Sequence, residues 1–187
     1  MHHTEHITEK QQQKWFQSVN NINNYYFVIQ YEGKKIGLVF LKEIDYEKGT
    51  AQPGIFIWDE KYFESVAAAI ALIVISEIAW IFFRLEKLHF HVFKNNKRAI
   101  DNYKRLGGEI ISEVQGRTLM MEVDMPNRVA YFDKIKNAYQ TISGFSDDVT
   151  ISLDESDSED GFFNHVKSTH EALDETLKKR ITLLQAS

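Results

Sequence analysis

The sequence predicts an α/β protein built on one mixed β-sheet flanked by helices, with a C-terminal helical extension. Three observations predict it. Short strand-like runs alternate with helical ones along the first two-thirds of the 187 residues, in the order helix, three strands, helix, strand, helix, two strands. The stretch from Val66 to Phe83 is apolar except for Ser76 and Glu77, as befits a helix covered on most of its surface. Hydrophobic residues make up 43% of the chain and aromatics 13%, enough to bury a core.

Each element has its own warrant. Thr8 followed by Gln11 has capping-box spacing, so a helix is expected from about Glu9 to Val19, broken by the Asn-rich run Asn20 to Asn24. Tyr25 to Tyr31 is aromatic and β-branched, and Ile36 to Ile44 pairs back on it across a Glu32–Lys35 turn. Gln52 to Trp58 forms a further strand, whose Pro53 suggests a strand end or edge. A long helix is expected from about Tyr62 to Leu85. Leu88 to Phe93 is a short strand, Lys97 to Leu106 a helix stopped by Gly107-Gly108, and Ile110 to Val114 and Thr118 to Val123 a closing hairpin. Pro126 marks a boundary. Past it the chain reads as a helix over Arg128 to Ile142, a short strand over Val149 to Leu153, an acidic loop and a polar helix from Phe162 to about Leu184. The expected division is therefore 1–124 and 125–187.

Composition removes several classes of function. A formal charge of −5 argues against a nucleic-acid binder, which would carry a strongly basic face. With no cysteine, disulfides, thiolate metal sites and cysteine nucleophiles are excluded, and a cytoplasmic location is expected. The polar N-terminus does not read as a signal peptide. Glu77 would cost roughly 2–3 kcal/mol in a membrane-spanning reading of 66–83, which makes no membrane the expectation.

The sharpest motif is Asn96-Lys-Arg-Ala-Ile-Asp-Asn-Tyr103-Lys-Arg-Leu-Gly107, directly after the strand Leu88 to Phe93. It resembles the GNAT superfamily of N-acetyltransferases, whose members show a strand, an Asn, and a helix reading Ala-Ile-x-x-Tyr-x-x-x-Gly. The order of elements over roughly residues 7–123 is similar too. Ile7 to Ser18 and Gln52 to Asp59 look like the branch that acts on protein N-termini, ribosomal proteins among them, or on amino-sugars linked to nucleotides.

The resemblance implies a GNAT-like mixed central sheet in which strands 52–58 and 88–93 splay apart around the pantetheine arm of acetyl-CoA, the co-substrate. Asn96, with Ala99, would bond that arm, and Tyr103 would protonate the leaving thiolate. A phenol with a reference pKa of about 10 is suited to this at neutral pH. The backbone of Ile57 and Trp58 would polarise the thioester carbonyl. Ser65, Val66, Ala67 and Ala68 would meet the pyrophosphate at a helix start.

Three departures qualify the match. The family's Gln/Arg-x-x-Gly-x-Gly/Ala phosphate loop corresponds to Lys61–Ala68, which has no glycine and places Glu64 where phosphates should sit. Two like charges at about 4 Å repel by roughly 1 kcal/mol in water and about 4 at a half-buried site. The family's first strand and helix have no counterpart ahead of Ile7. No general base stands out, since Glu43, Asp45 and Asp59 read first as solvated turn residues. For His2, His3 and His6 a floppy terminus is the simpler account, for His89 and His91 a sheet-surface position, and for Asp154 to Asp160 a solvated loop. No metal is expected.

The expected function is direct acetyl transfer from acetyl-CoA to a primary amine, on a small molecule or a peptide, with a homodimer as one assembly it allows. The rival from another class is a non-catalytic GNAT-like binding or assembly module that has lost acetyl-CoA binding. An anchor through 66–83 is a third reading.

Overall fold

The structure, a computed structural model, describes residues 7–63, 65–125, 133–138, 141, 149–153, 162–179 and 181–185. Helix α1 spans Glu9–Val19, and its capping box closes as expected, with Thr8 and Gln11 bonding each other's backbone N–H. Strands β1 (Tyr25–Tyr31) and β2 (Lys34–Asp45) form a hairpin whose two-residue turn, Glu32 at φ 48° and Gly33 at φ 76°, takes the left-handed conformations that match strand twist. Strand β3 (Thr50–Ile57) lies antiparallel to β2. Strand β4 is Lys87–Phe93, helix α3 Lys97–Arg105, and β5 (Glu109–Val114) and β6 (Thr118–Asp124) complete a six-stranded mixed sheet of order β1-β2-β3-β4-β6-β5.

One face of this sheet is buried. Tyr25 and Ile29 of β1, Val39 and Leu41 of β2, Ala51 of β3, Leu88, Phe90 and Val92 of β4, and Met121 and Val123 of β6 share one core. Helix α2 (Val66–Glu77) covers that face, with contacts to β1, β2 and β3. Trp15 and Phe16 are not core residues. They are 45% and 57% exposed, and Trp15 meets the open face edge-on at Tyr26, 5.3 Å between centroids. Helix α1 buries nothing because only its Trp15 side reaches the sheet.

Three expectations are corrected. The helix drawn over 62–85 is divided into a 3-10 turn at Glu60–Tyr62, then α2 capped by Ser65, then a wider π turn at Ile78–Phe82 in which the Phe83 N–H reaches the Ile78 carbonyl at 3.1 Å. Pro53 belongs to a strand inside the sheet, not at its edge. Bonding alternates along a strand, so the Pro53 nitrogen faces the side from which β4 has departed, and its missing N–H costs no ladder bond. The polar helix expected over 162–184 ends early. After the helical residues 133–138 (α4) and strand β7 (Val149–Leu153), it comprises α5 (Phe162–Glu171), a short α6 (Glu175–Lys178) capped by Asp174, and a strand β8 (Ile181–Gln185) parallel to β7. The alternation Ile181, Leu183 facing in and Thr182, Leu184 facing out is a strand period that the helical reading missed.

The C-terminal segments lie on the outer side of α2. Lys136 of α4 bonds Glu77 at 2.7 Å, Arg84 donates to the Ala172 carbonyl at 3.2 Å, and His165 of α5 stacks on Phe83 with centroids 6.3 Å apart. Val166, Leu173 and Ile181 join the same core as the sheet. A helix apolar on every side is thus covered on two, and among the described residues no helix is long and apolar enough to cross a membrane.

Candidate active site

β3 and β4 are parallel neighbours, yet they pair only at Thr50–Lys87 and Ala51–Leu88. β3 runs on for six more residues against β2, and β4 for five more against β6, with no bridge between them. A wedge therefore opens at the C-terminal ends of two parallel strands, the place where a crevice forms in open α/β sheets. Polar backbone lines it. The Trp58 N–H, one of the two expected to polarise a thioester, is instead donated to the Ile36 carbonyl at 3.1 Å. Alternation then turns the Ile57 N–H the other way, into the wedge, and leaves it the donor of the pair. The Trp58 indole is likewise committed, donating to the Lys35 carbonyl at 2.9 Å.

Two helices begin at the mouth. Ser65 caps α2, accepting from the Ala68 N–H at 3.3 Å and donating to the Tyr62 carbonyl at 2.8 Å. Its hydroxyl and Ala68 are thus committed within the helix start, and Val66 and Ala67 hold the first-turn N–H groups that an α-helix leaves without an internal partner. Asn96 caps α3 by accepting from the Ala99 N–H at 3.2 Å, which commits both residues through one bond and leaves the Asn96 NH2 as its donor. Arg98, in the first turn of α3, lies 5.2 Å above the Phe63 ring, joining the two helix starts. The sequence marks Arg98 only as a basic residue two positions past a cap, and its value comes from β3 and β4 being neighbours in the sheet. Lys61, 3.3 Å from Asp59, adds a second cation. Glu64 lies outside the described residues.

Tyr103 sits on the inner side of α3 with its ring 4.1 Å from that of Phe90, the second β4 residue past the last parallel pair. Burial raises its hydroxyl pKa above the ordinary 10, so the phenol stays protonated. The three carboxylates expected as candidate bases are engaged locally, Glu43 and Asp45 at the end of β2 and Asp59 just past β3. Glu43 pairs with Lys42 at 2.9 Å. Asp45 accepts from the Glu47 and Lys48 N–H groups and pairs with the Lys48 ammonium at 2.6 Å, which holds its carboxyl below the usual range. Asp59 caps the 3-10 turn.

A different group lies across the sheet. His89 points to the open face, where its Nε2 is 2.9 Å from Glu122 Oε2 in register on β6, and Lys87 holds the other oxygen at 2.7 Å. Lys87 first, and His89 after it, keep the Glu122 carboxyl below its ordinary pKa, against desolvation acting the other way. In the sequence alone His89 reads as a sheet-surface histidine, because its partner is 33 residues away and register is invisible in a sequence. Among the described residues no cluster of three or more metal-ligating side chains forms. A shallow hollow of about 440 Å³ lined by Lys104, Gly107, Gly108, Glu109 and Ile110 lies at the far end of α3 from the helix starts.

No protein-family model matches the chain, and no curated protein sequence matches it. Solved structures do. The spermidine N-acetyltransferase of Vibrio cholerae in complex with CoA and spermine is 18% identical, covering 66% of this chain and 79% of its own at a TM-score of 0.58. The same enzyme in a dodecameric structure is 18% identical over 66% of this chain and 78% of its own, TM-score 0.57, and a chimera of it with hSSAT is 19% identical over 69% and 84%, TM-score 0.59. At such identities the likeness is one of architecture. With its wedge between two parallel strands and a helix starting from each, the chain has the fold of the GNAT N-acetyltransferases.

Proposed function

We propose that the chain is an acetyl-CoA-dependent N-acetyltransferase that moves an acetyl group directly to a primary amine. The observation that carries the reading is the opening of β3 from β4 beyond Ala51 and Leu88. A pantetheine arm needs a narrow slot with unpaired backbone donors, and an edge like that of Ile57 offers them. The first-turn N–H groups of α2, with Arg98 and Lys61 nearby, face the phosphate end, and Tyr103 stands as the acid for the leaving thiolate. Acetyl-CoA bound there would supply the activated acyl carbon. The chain's own groups hold the arm, polarise the carbonyl at the Ile57 N–H and return the proton. With no cysteine to carry the acyl group, direct transfer is the step to test.

The acceptor in this reading is a small-molecule amine, as in the neighbour solved with spermine, and an amino-sugar nucleotide or a protein N-terminus are the two further acceptors to try. One neighbour is dodecameric, so self-association, a homodimer included, is worth measuring, and a cytoplasmic setting suits a chain without cysteine. Calorimetry or thermal shift with acetyl-CoA tests the reading. Binding adds about 2.7 kcal/mol of apparent stability at a hundredfold excess over Kd. A flat response favours the rival, a non-catalytic binding or assembly module, whose support is that Ser65 and Asn96 are turned onto their own helices and that the stretch 61–68 has no glycine.

A further inference from the structure

We propose that His89, oriented by Glu122, is the general base that deprotonates the acceptor amine. The inference deepens the acetyl-transfer reading and rests on it. Its ground is the placement of groups about the apex of the wedge. Leu88 makes the last parallel pair with β3, so His89 is the first β4 residue after the strands part. Side chains alternate across a strand. Leu88, Phe90 and Val92 enter the core, where Tyr103 packs on Phe90, and His89 and His91 stand on the opposite, open face. Acid and base thus flank one apex from opposite faces. The helix starts and Tyr103 occupy the buried side, which leaves the open side to the acceptor.

The ring is prepared for the role. Glu122, kept ionised by Lys87, is the acceptor for an Nε2–H, and a proton fixed there makes Nδ1 the nitrogen with the lone pair. Among the described residues Nδ1 has no partner. The charged groups that face His89 are Lys87 and His91 on its own strand, Glu122 and Asp124 on β6, and Glu109 on β5, in register with Glu122. On β3 the same face presents Thr50, Gln52 and Gly54, none of them titratable. A carboxylate behind the ring stabilises the imidazolium that forms.

The step balances. The acceptor ammonium gives one proton to His89 Nδ1, which passes it to solvent. The freed lone pair attacks the acetyl carbonyl carbon, so that the C–N bond forms, the C–S bond breaks and its electron pair leaves on sulfur. The nitrogen sheds its second proton as the amide forms. Sulfur takes a proton from the Tyr103 hydroxyl, which recovers one from solvent. The products are an acetamide, CoA thiol and one net proton.

The experiment follows thiol release from acetyl-CoA with a thiol-reactive dye, for which a chain without cysteine gives no background. A panel of polyamines, amino-sugar nucleotides and peptides with free N-termini serves as acceptors. His89→Gln should lower kcat by about 10²–10⁴-fold and remove the acid limb of its pH profile, with acetyl-CoA affinity unchanged. Glu122→Gln should lower kcat less and shift that limb. A cross-strand pair that serves the sheet alone would change the melting temperature and leave kcat and its pH profile intact, and that result overturns the proposal while the acetyl-transfer reading stands. Acetyl-CoA failing to bind the wild-type chain overturns the reading and the base together. Binding without turnover of any acceptor in the panel overturns the base role.

Discussion

Lys136→Ala should destabilise the protein by about 3–5 kcal/mol, because it removes the cation bonded to a carboxylate that is almost wholly out of water. The Lys136 Nζ is 2.7 Å from Glu77 Oε2, and each side chain is only 6% exposed. Attraction at that distance is about 6 kcal/mol at an effective dielectric of about 20, and most of it offsets the cost of taking both ions out of water. The intact pair therefore adds little net stability, whereas losing the ammonium removes the attraction and leaves the desolvation cost of the carboxylate in place. Domains of this kind hold about 5–15 kcal/mol in total, so the loss is a large share. At roughly 2–4 °C per kcal/mol for a chain this size, the melting temperature should fall by about 6–20 °C. Urea unfolding followed by circular dichroism measures it. Glu77→Leu combined with Lys136→Met fills the same space without charge and should return the midpoint to near or above wild type. A single variant within about 1 kcal/mol of wild type, or a double variant as unstable as the single, would refute the reasoning.

Tyr103→Phe should cut kcat by about 10²-fold or more with acetyl-CoA affinity nearly unchanged, as read by steady-state kinetics and calorimetry; equal turnover removes Tyr103 from the acid role. Gly54→Ala should cost about 1–3 kcal/mol, because a methyl group there would stand 2.3 Å from Phe40 Cζ, and pairing it with Phe40→Leu should restore most of the loss in a thermal melt. Burial holds the His165 imidazole below its ordinary value of 6.5, with Nε2 buried beside Tyr46 and Phe83 and without a hydrogen-bond partner among the described residues. As pH falls through that value, the unfolded chain takes up the proton before the folded one, so stability declines on acidification. The fall in the urea midpoint between neutral and mildly acid pH should be smaller in His165→Phe, and an equal fall would exclude the residue.

Local signals were the legible part of the fold. The Thr8–Gln11 box and the stop after Leu106 are read from neighbours in sequence and stand where expected, and the turn expected over Glu32–Lys35 is present but tightens to Glu32-Gly33, with pairing from Lys34. Elements whose bounds depend on distant partners were not legible. The helix drawn to Leu85 breaks into three because hydropathy reports coverage and says nothing of a change in hydrogen-bond pitch at Ile78. Strand β8 reads as a strand only once β7 lies beside it. Around the candidate site, the Asn96–Tyr103–Gly107 spacing predicts a helix directly after a strand, and α3 follows β4, but whether a donor is free is a question of partners. The Trp58 N–H was taken by Ile36 and the Asn96 oxygen by Ala99, neither visible as a pattern of residues. The His89–Glu122 pair stayed hidden for the same reason, since only the β4–β6 register joins them.

The doubly covered α2 has a consequence for how the molecule can be cut. A fragment stopping near residue 124 would carry every strand of the large sheet and still present Phe82, Phe83 and the flank of Glu77 to water. Bare surface of that kind recruits other chains, and soluble monomers seldom tolerate more than a few hundred Å² of it. The tail thus behaves as the second jaw of a clamp around one greasy rod, and trimming it would leave the sheet-bearing two-thirds of the chain with that rod uncovered.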